Sequence, residues 1–320
     1  VPAFACQAMR TRFEVLIADA GDPARLRASG EEALAAVEEV EGLLSIYRDD
    51  AQLFRINRLA GQQAVRADAR VMAVLQRSLE VCIASDGAFD PAMGALVQVW
   101  DVPGHIDRGE AGLPGSARLE AALACSGMRR LVVLDHDQGT VRFSAPGVRL
   151  DAGAVGKGYA LEQAAAVLRD LGIRSALMHG GTSSVVALGR MADQRPWRVA
   201  IRHPADGQAV VAVADLSDAS LGVSAVHGRS IEVAGQRYGH VIDPRNGWPV
   251  QGHLLAAVIH EQALLSDAWS TALLVLGQQG LDLLAARLPG ADALLVRQHA
   301  TSGELVVDCV GSRFTRTACA

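Results

Sequence analysis

A strand ending at Leu150-Asp151 runs into Ala-Gly-Ala-Val-Gly-Lys-Gly-Tyr159. A helix pattern over residues 157–171 runs out of it and stops at Gly172. A strand, a glycine-rich turn and a helix in direct succession bring backbone N–H groups and a helix N-terminus to one point, which suits a phosphate. Two familiar versions are excluded. A Walker A loop needs Ser or Thr directly after its Lys to reach magnesium, and Gly158 stands there. The Rossmann fingerprint spaces its glycines G-x-G-x-x-G, whereas this turn reads G-x-x-G-x-G. Glycines that serve only a close strand–helix connection account for the turn as well as a phosphate does.

The pattern on either side is mixed. Alternating Phe13, Val15 and Ile17 predict a strand over residues 12–18. Asp22-Pro23 reads as an N-cap and first-turn proline. Leu26, Ala33, Leu34, Val37 and Leu44 then form one broad helical face. Val71, Val74, Leu75 and Cys82 give a second helix over residues 71–85, and residues 104–116, rich in Gly, Pro and charge, read as a surface loop. A hairpin is expected at residues 131–135 and 140–144, then alternating strands and turns from 175 to 259. One helix opens near Ser266-Asp267, another covers 280–288, and strands at 293–297 and 304–309 close the sequence. Hairpin-joined strands interrupted by helices favour an α+β architecture over regular βαβ winding. No repeat, low-complexity stretch or long linker divides the 320 residues, so one compact unit over 1–320, with room for two lobes, is expected.

Composition narrows the function classes. Half the residues are hydrophobic and a fifth charged, an ordinary globular mixture. A net charge of −5 with no basic run argues against a general nucleic-acid binder. No apolar run approaches the roughly 18–20 residues of a membrane span. The five cysteines, Cys6, Cys82, Cys125, Cys309 and Cys319, are scattered and lack a C-x-x-C spacing, so neither a disulfide framework nor a zinc site is read. The sequence does not open on Met, as in a trimmed chain that has lost an export signal; a cell-envelope location is expected in that case and a cytoplasmic one otherwise.

Three further segments carry candidate chemistry. His240-Val-Ile-Asp243-Pro244-Arg245-Asn-Gly247 combines imidazole, carboxylate and guanidinium at a turn. His240 and Asp243 suit a base and its orienting partner, but equally a strand-end histidine and a turn-capping aspartate. Ser266-Asp267-Ala-Trp-Ser270-Thr271 places Asp267 and Thr271 at i and i+4 on one helix face, hard oxygen donors for magnesium. A plain helix start with Ser266 as N-cap fits too. Ser85-Asp-Gly-Ala88-Phe89-Asp90-Pro91 reads as a turn between helices, with Phe89 free to plug the core.

The order and spacing of these segments resemble the ApbE family of FAD:protein FMN transferases, from about Ala8 to Gly277. Ala8-Met9-Arg-Thr11-Arg-Phe13 is similar to its A-M-G-T-x-F opening, and Leu44-Ser45-Ile-Tyr47 with Asn57 to its L-S-x-Y … N segment. Gly87 to Pro91 matches G-A-F-D-P, and Leu150 to Ala160 resembles L-D-L-G-x-x-x-K-G-Y-A. His240 to Gly247 resembles H-x-x-D-P-R-T-G, and Asp267 to Thr271 falls on A-D-x-x-S/D-T. The resemblance implies an α+β, T-fold-like domain that uses FAD and Mg²⁺ and carries FMN to a Ser or Thr of an acceptor flavoprotein subunit, releasing AMP. Met9, Tyr47, Ala88, Phe89, Asp90, Asp151, Lys157 and Ile242 would line the FAD site, between the lobes if there are two. The Ala154 carbonyl, Asp267 and Thr271 would hold Mg²⁺, with Ser270 where some relatives carry an acid. His240 would handle the proton, supported by Asp243. Departures stand at Arg10, at Thr182 in Gly180-Gly181-Thr182, at Ser224 to Gly228, and at Asn246; His179 and His227 are extra imidazoles. An FAD pyrophosphatase giving FMN and AMP, with Asn57 and the substituted loops bearing on that balance, and a non-catalytic flavin binder are the alternatives.

Overall fold

The computed structural model describes residues 1–108, 112–204, 206–226, 230–299 and 304–317. In chain order the elements begin β1 (Ala3–Ala8), β2 (Thr11–Ile17), α1 (Pro23–Leu44), α2 (Gln52–Leu59), β3 (Val65–Arg66), α3 (Ala69–Ala84), α4 (Gly94–Trp100), α5 (Val102–Arg108), α6 (Ser116–Ala124) and α7 (Met128–Leu131). The hairpin β4 (Val132–Asp135) and β5 (Thr140–Phe143) leads to α8 (Gly156–Asp170), β6 (Ala176–Gly180), β7 (Ser184–Leu188), β8 (Trp197–Arg202), β9 (Val210–Leu216) and β10 (Ala219–Ala225). The last third holds β11 (Ser230–Val233), β12 (Gln236–Gly239), β13 (His253–His260), α9 (Ala263–Leu276), α10 (Gln278–Arg287), β14 (Asp292–Gln298), β15 (Leu305–Val310) and β16 (Phe314–Arg316).

The frame is an antiparallel sheet in the order β1-β2-β6-β7-β10-β13-β14-β15. Side chains alternate faces along a strand, and at the central strands both faces are covered. On β13, Ala256 and Val258 join the core beneath α1, α8 and α9, while Leu255, Ala257 and Ile259 join a second core. That second core is closed by the small sheet β16-β9-β8 through Trp197, Ile201, Val211, Leu216 and Phe314. Double coverage explains why β7, β13 and β14 read as unbroken apolar runs and not as alternation. A third cluster gathers Leu96, Trp100, Leu119, Ile231, Tyr238 and Ile242, with the Trp100 and Tyr238 rings stacked at 5.7 Å.

The α+β class holds, and most expected elements fall within a few residues of their place. Asp22 caps α1 through its carboxylate, which accepts from the Arg25 N–H at 3.0 Å. Two expectations are corrected. Residues 104–116 are not one loop: α5 runs to Arg108 and α6 opens at Ser116, because Val102, Leu119 and Ala122 bury against the third cluster. The last long helix opens at Ala263, one turn before Ser266, so Ser266 is no N-cap. Gln262 caps it without a side-chain bond, and Glu162 of α8 accepts the otherwise orphan Leu264 N–H at 2.8 Å. A cap supplied by another helix leaves no local mark in sequence.

Candidate functional site

The strand before the glycine-rich turn is fixed from two sides. Asn57 brackets Leu150, donating to its carbonyl at 2.8 Å and accepting its N–H at 2.7 Å. Asp151 donates its N–H to the Pro91 carbonyl at 2.7 Å, which joins the turn to the Gly87–Pro91 segment. Within the turn the Asp151 carboxylate accepts the Gly153 N–H at 2.7 Å, and Lys157 Nζ reaches the Gly153 carbonyl at 3.3 Å. Burial raises the Asp151 carboxyl, opposed by the Gly153 bond and the Lys157 charge. The glycines serve close packing as well: a Cβ on Gly158 would lie 2.3 Å from the Ala263 carbonyl and 2.8 Å from Asp267 Oδ2.

That contact defines the centre of the site. Asp267, 5 % exposed on α9, accepts the Gly158 N–H at 2.8 Å through Oδ2. The Ser184 hydroxyl donates to both of its oxygens, at 2.9 Å to Oδ1 and 2.8 Å to Oδ2. Burial pushes the Asp267 carboxyl up to about 7, against the pull of the Lys157 charge and of the Ser184 and Gly158 bonds. Beside it, serines on β10 meet serines on α9. Ser220 and Ser224, four apart on a strand, share a face, as do Ser266 and Ser270, four apart on a helix. Ser220 pairs with Ser266 at 2.7 Å and Ser224 with Ser270 at 2.8 Å. Ser224 also lies 3.0 Å from the Thr271 hydroxyl. Gly222 is the notch between them: a Cβ there would sit 2.4 Å from the Ser266 carbonyl.

This donor set fits a hard divalent cation. Asp267 is a buried acid held by neutral donors, with hydroxyls of Ser224, Ser270 and Thr271 close by and the Ala154 carbonyl in the turn that Gly158 closes. Carboxylate, hydroxyl and carbonyl oxygens are the ligands magnesium takes, and a cation would offset the charge that burial penalises. Among the described residues no group of three or more His, Cys, Asp or Glu converges.

The remaining expected residues are in different states. Met9 has φ +49°, donates its N–H to Glu41 Oε1 at 2.7 Å, and places its sulfur 3.8 Å from where a Gly156 Cβ would be. Tyr47 is exposed, with the Arg10 guanidinium 5.3 Å over its ring. Ala88 and Phe89 are buried, so in this conformation they offer a ligand little surface. Asp90 turns inward, and its oxygens accept the Ala92 and Met128 N–H groups at 2.7–3.0 Å. Burial raises its carboxyl as well. The Gly87 turn approaches the Arg245 side chain, 3.8 Å from a Gly87 Cβ, which brings the His240–Gly247 segment alongside. There Ile242 is buried in the third cluster. Both Asp243 oxygens are taken by Arg245, at 2.8 Å each from Nε and Nη2, and its main-chain carbonyl accepts the Gly247 N–H. His240 is exposed in the bend after β12. His179 faces Glu14 at 3.2 Å and the Gly181 carbonyl at 3.1 Å on neighbouring strands. His227 lies outside the described residues.

Sequence reasoning passed over Ser184 and Glu41, and noted Ser224 only as a departure from the family pattern. The signal for the serines was a polar residue opening or closing an otherwise apolar strand, matched by serines at i and i+4 on the facing helix. Glu41 left no signal, since its partner is the main chain of a residue 32 positions away.

The match to the ApbE family model spans residues 9–295. An FAD:protein FMN transferase of Rhodobacter capsulatus is 36 % identical over 237 residues, 74 % of this chain and 44 % of that protein, so this chain spans less than half the relative's length. One of Treponema pallidum is 32 % identical over 308 residues, 90 % of this chain and 82 % of that protein. The apo crystal structure of the flavinyl transferase ApbE of Pseudomonas stutzeri superposes with a TM-score of 0.82 at 28 % identity, covering 96 % of this chain and 94 % of the other. A family match over most of the sequence, on a fold that aligns from end to end, establishes that the chain belongs to the ApbE family.

Proposed function

We propose that this protein is a Mg²⁺-dependent FAD:protein FMN transferase, which joins FMN through a phosphoester bond to a Ser or Thr of an acceptor protein and releases AMP. The observation that carries the reading is Asp267: a buried acid, held by the glycine-rich turn and a serine, one helical turn from the Thr271 hydroxyl. The relatives' names support flavin transfer. Ala154, Asp267 and Thr271 would hold the cation, which when bound would offset the pyrophosphate charge and polarise the phosphorus. Lys157, in the first turn of α8, meets the same anionic group. The acceptor hydroxyl attacks the FMN phosphorus. A new O–P bond forms there as the bridging bond to the AMP phosphate breaks. The hydroxyl proton goes to the exposed His240 imidazole, and Asp243 serves His240 by fixing, through Arg245, the turn that follows it. Most of the acceleration comes from alignment and charge stabilisation.

The exposure of His240 leaves a route for water, and water as acceptor would give FMN and AMP. The test is incubation with FAD, Mg²⁺ and an acceptor carrying an Asp-Gly-x-Ser/Thr-Gly-Ala-Thr/Ser sequence, followed by the intact mass of the denatured acceptor. A gain of one FMN, lost with Asp267→Ala, supports transfer. Release of free FMN and AMP with no mass gain replaces transfer by hydrolysis. Bound FAD without either product leaves a flavin-binding protein.

A further inference from the structure

We propose that Ser184 is a positioning residue that occupies the chelating notch of Asp267, so that the cation reaches one carboxylate oxygen only and magnesium is selected over calcium. The inference rests on the metal reading above and gives the serine that holds Asp267 a role in the choice of metal. Its basis is geometric. A carboxylate binds a cation either through one oxygen or through both, and the bidentate position lies on the bisector between them. The Ser184 hydroxyl stands there, 2.9 Å from one oxygen and 2.8 Å from the other. It is locked in place. Ser184 is 1 % exposed and opens β7, where it is paired with Gly180 of β6 on one side and Gly222 of β10 on the other. Gly158 further engages Oδ2 through its N–H.

Calcium readily accepts bidentate carboxylates and six to eight ligands, whereas magnesium demands compact octahedral geometry and is commonly held by one or two carboxylates with substrate phosphates. A serine wedged between the two oxygens therefore removes the mode that calcium exploits and leaves the mode that magnesium uses. The surrounding groups agree: the nearby side-chain oxygens belong to Ser224, Ser270 and Thr271, each of which offers a single oxygen.

The experiment follows Mn²⁺ binding to the metal-free protein by electron paramagnetic resonance, with Mg²⁺ and Ca²⁺ as competitors. Five proteins are compared: wild type, Ser184→Ala, Ser184→Cys, Ser220→Ala and Asp267→Ala. Ser220 makes the same kind of strand–helix hydroxyl bond, to Ser266 and the His260 carbonyl, and so controls for packing. Wild type and Ser220→Ala are expected to show Mg²⁺ displacing Mn²⁺ at several-fold lower concentration than Ca²⁺. In Ser184→Ala that ratio should fall by about fivefold or more, as calcium gains the second oxygen. Ser184→Cys, with a weaker and bulkier donor, should fall between, and it decides the matter if the alanine variant does not fold. An unchanged ratio in the folded Ser184 variants overturns the inference and leaves the metal reading standing. Wild type that binds no Mn²⁺, or Asp267→Ala that binds as much as wild type, overturns both.

Discussion

Asp243 and Asp267 lie 24 positions apart, and the fold treats them in opposite ways. At the exposed turn after β12, Asp243 meets a full opposite charge: Arg245 grips both of its oxygens. In the seam between β10 and α9, Asp267 meets serine and main-chain donors, and burial drives its carboxyl up to about 7. Taking a carboxylate out of water costs several kcal/mol unless a counter-charge or enough hydrogen bonds offset it. Asp243 has its counter-charge built in and shapes a turn. Asp267 lacks a contacting one among the described residues, and that difference is what the proposed cation would make good.

The largest expected effect tests this division directly. Asp267→Ala should lower the rate of FMN transfer by about 100-fold or more, since charge stabilisation at the phosphorus is lost. Acceptor mass gained per minute measures it. A variant that keeps a tenth of the wild-type rate would place Asp267 with Asp243, as structure and not chemistry.

Next comes the seam itself. Gly222→Ala drives a methyl against the Ser266 carbonyl, to 2.4 Å. Main chain cannot step aside as a side chain can, so β10 and α9 must part. The expected cost is about 1–3 kcal/mol in urea unfolding, with a matching loss of Mn²⁺ affinity as Ser224 and Thr271 separate. Unchanged stability would show that the seam is looser than its hydroxyl pairs indicate.

The turn should respond far less. Arg245→Ala removes the partner of Asp243, but Arg245 is 41 % exposed and the pair is partly screened. The stability loss should be about 1 kcal/mol or less, with Mn²⁺ binding untouched. A drop in Mn²⁺ affinity here would join the two regions that the comparison separates.

How much of this was legible follows the same line. The glycine-rich turn, the helix carrying Asp267 and Thr271, and the hairpins were readable because each rests on local patterns: glycine punctuation, i to i+4 spacing, turn residues. Asp243 as a turn cap was readable for the same reason, since Arg245 and Gly247 lie within four residues of it. Ser184 was not, because its partner lies 83 positions on, and a polar residue opening an apolar strand does not by itself say what it faces. The inward Asp90 is similar, tied to the Met128 N–H 38 positions away. The start of α9 was misplaced by a turn because Glu162, on a different helix, supplies the missing acceptor. Residues that work through long-range contacts become visible only once the sheet has set its neighbours.

The smallest effect concerns pH and sharpens the contrast between buried acids and buried bases in one seam. His260, whose carbonyl accepts the Ser220 hydroxyl, and His253, at the other end of β13, are both pushed below the ordinary 6.5 by burial. Each takes up a proton less readily in the folded chain than in the unfolded one, so as pH falls through 6.5 the unfolded state binds more protons and stability declines on acidification. Asp267 and Asp90 act with the other sign. Their folded values lie above 3.8, so in metal-free protein their stability penalty is fully present above the folded value and fades as pH falls through it. Because the two trends oppose each other, the test is a difference. The unfolding free energy of His260→Asn relative to wild type should rise from pH 7 to pH 5 in the presence of a chelator. A flat difference would mean that water reaches the imidazole in the folded state, and that the β13 side of the seam is wetter than the Asp267 side.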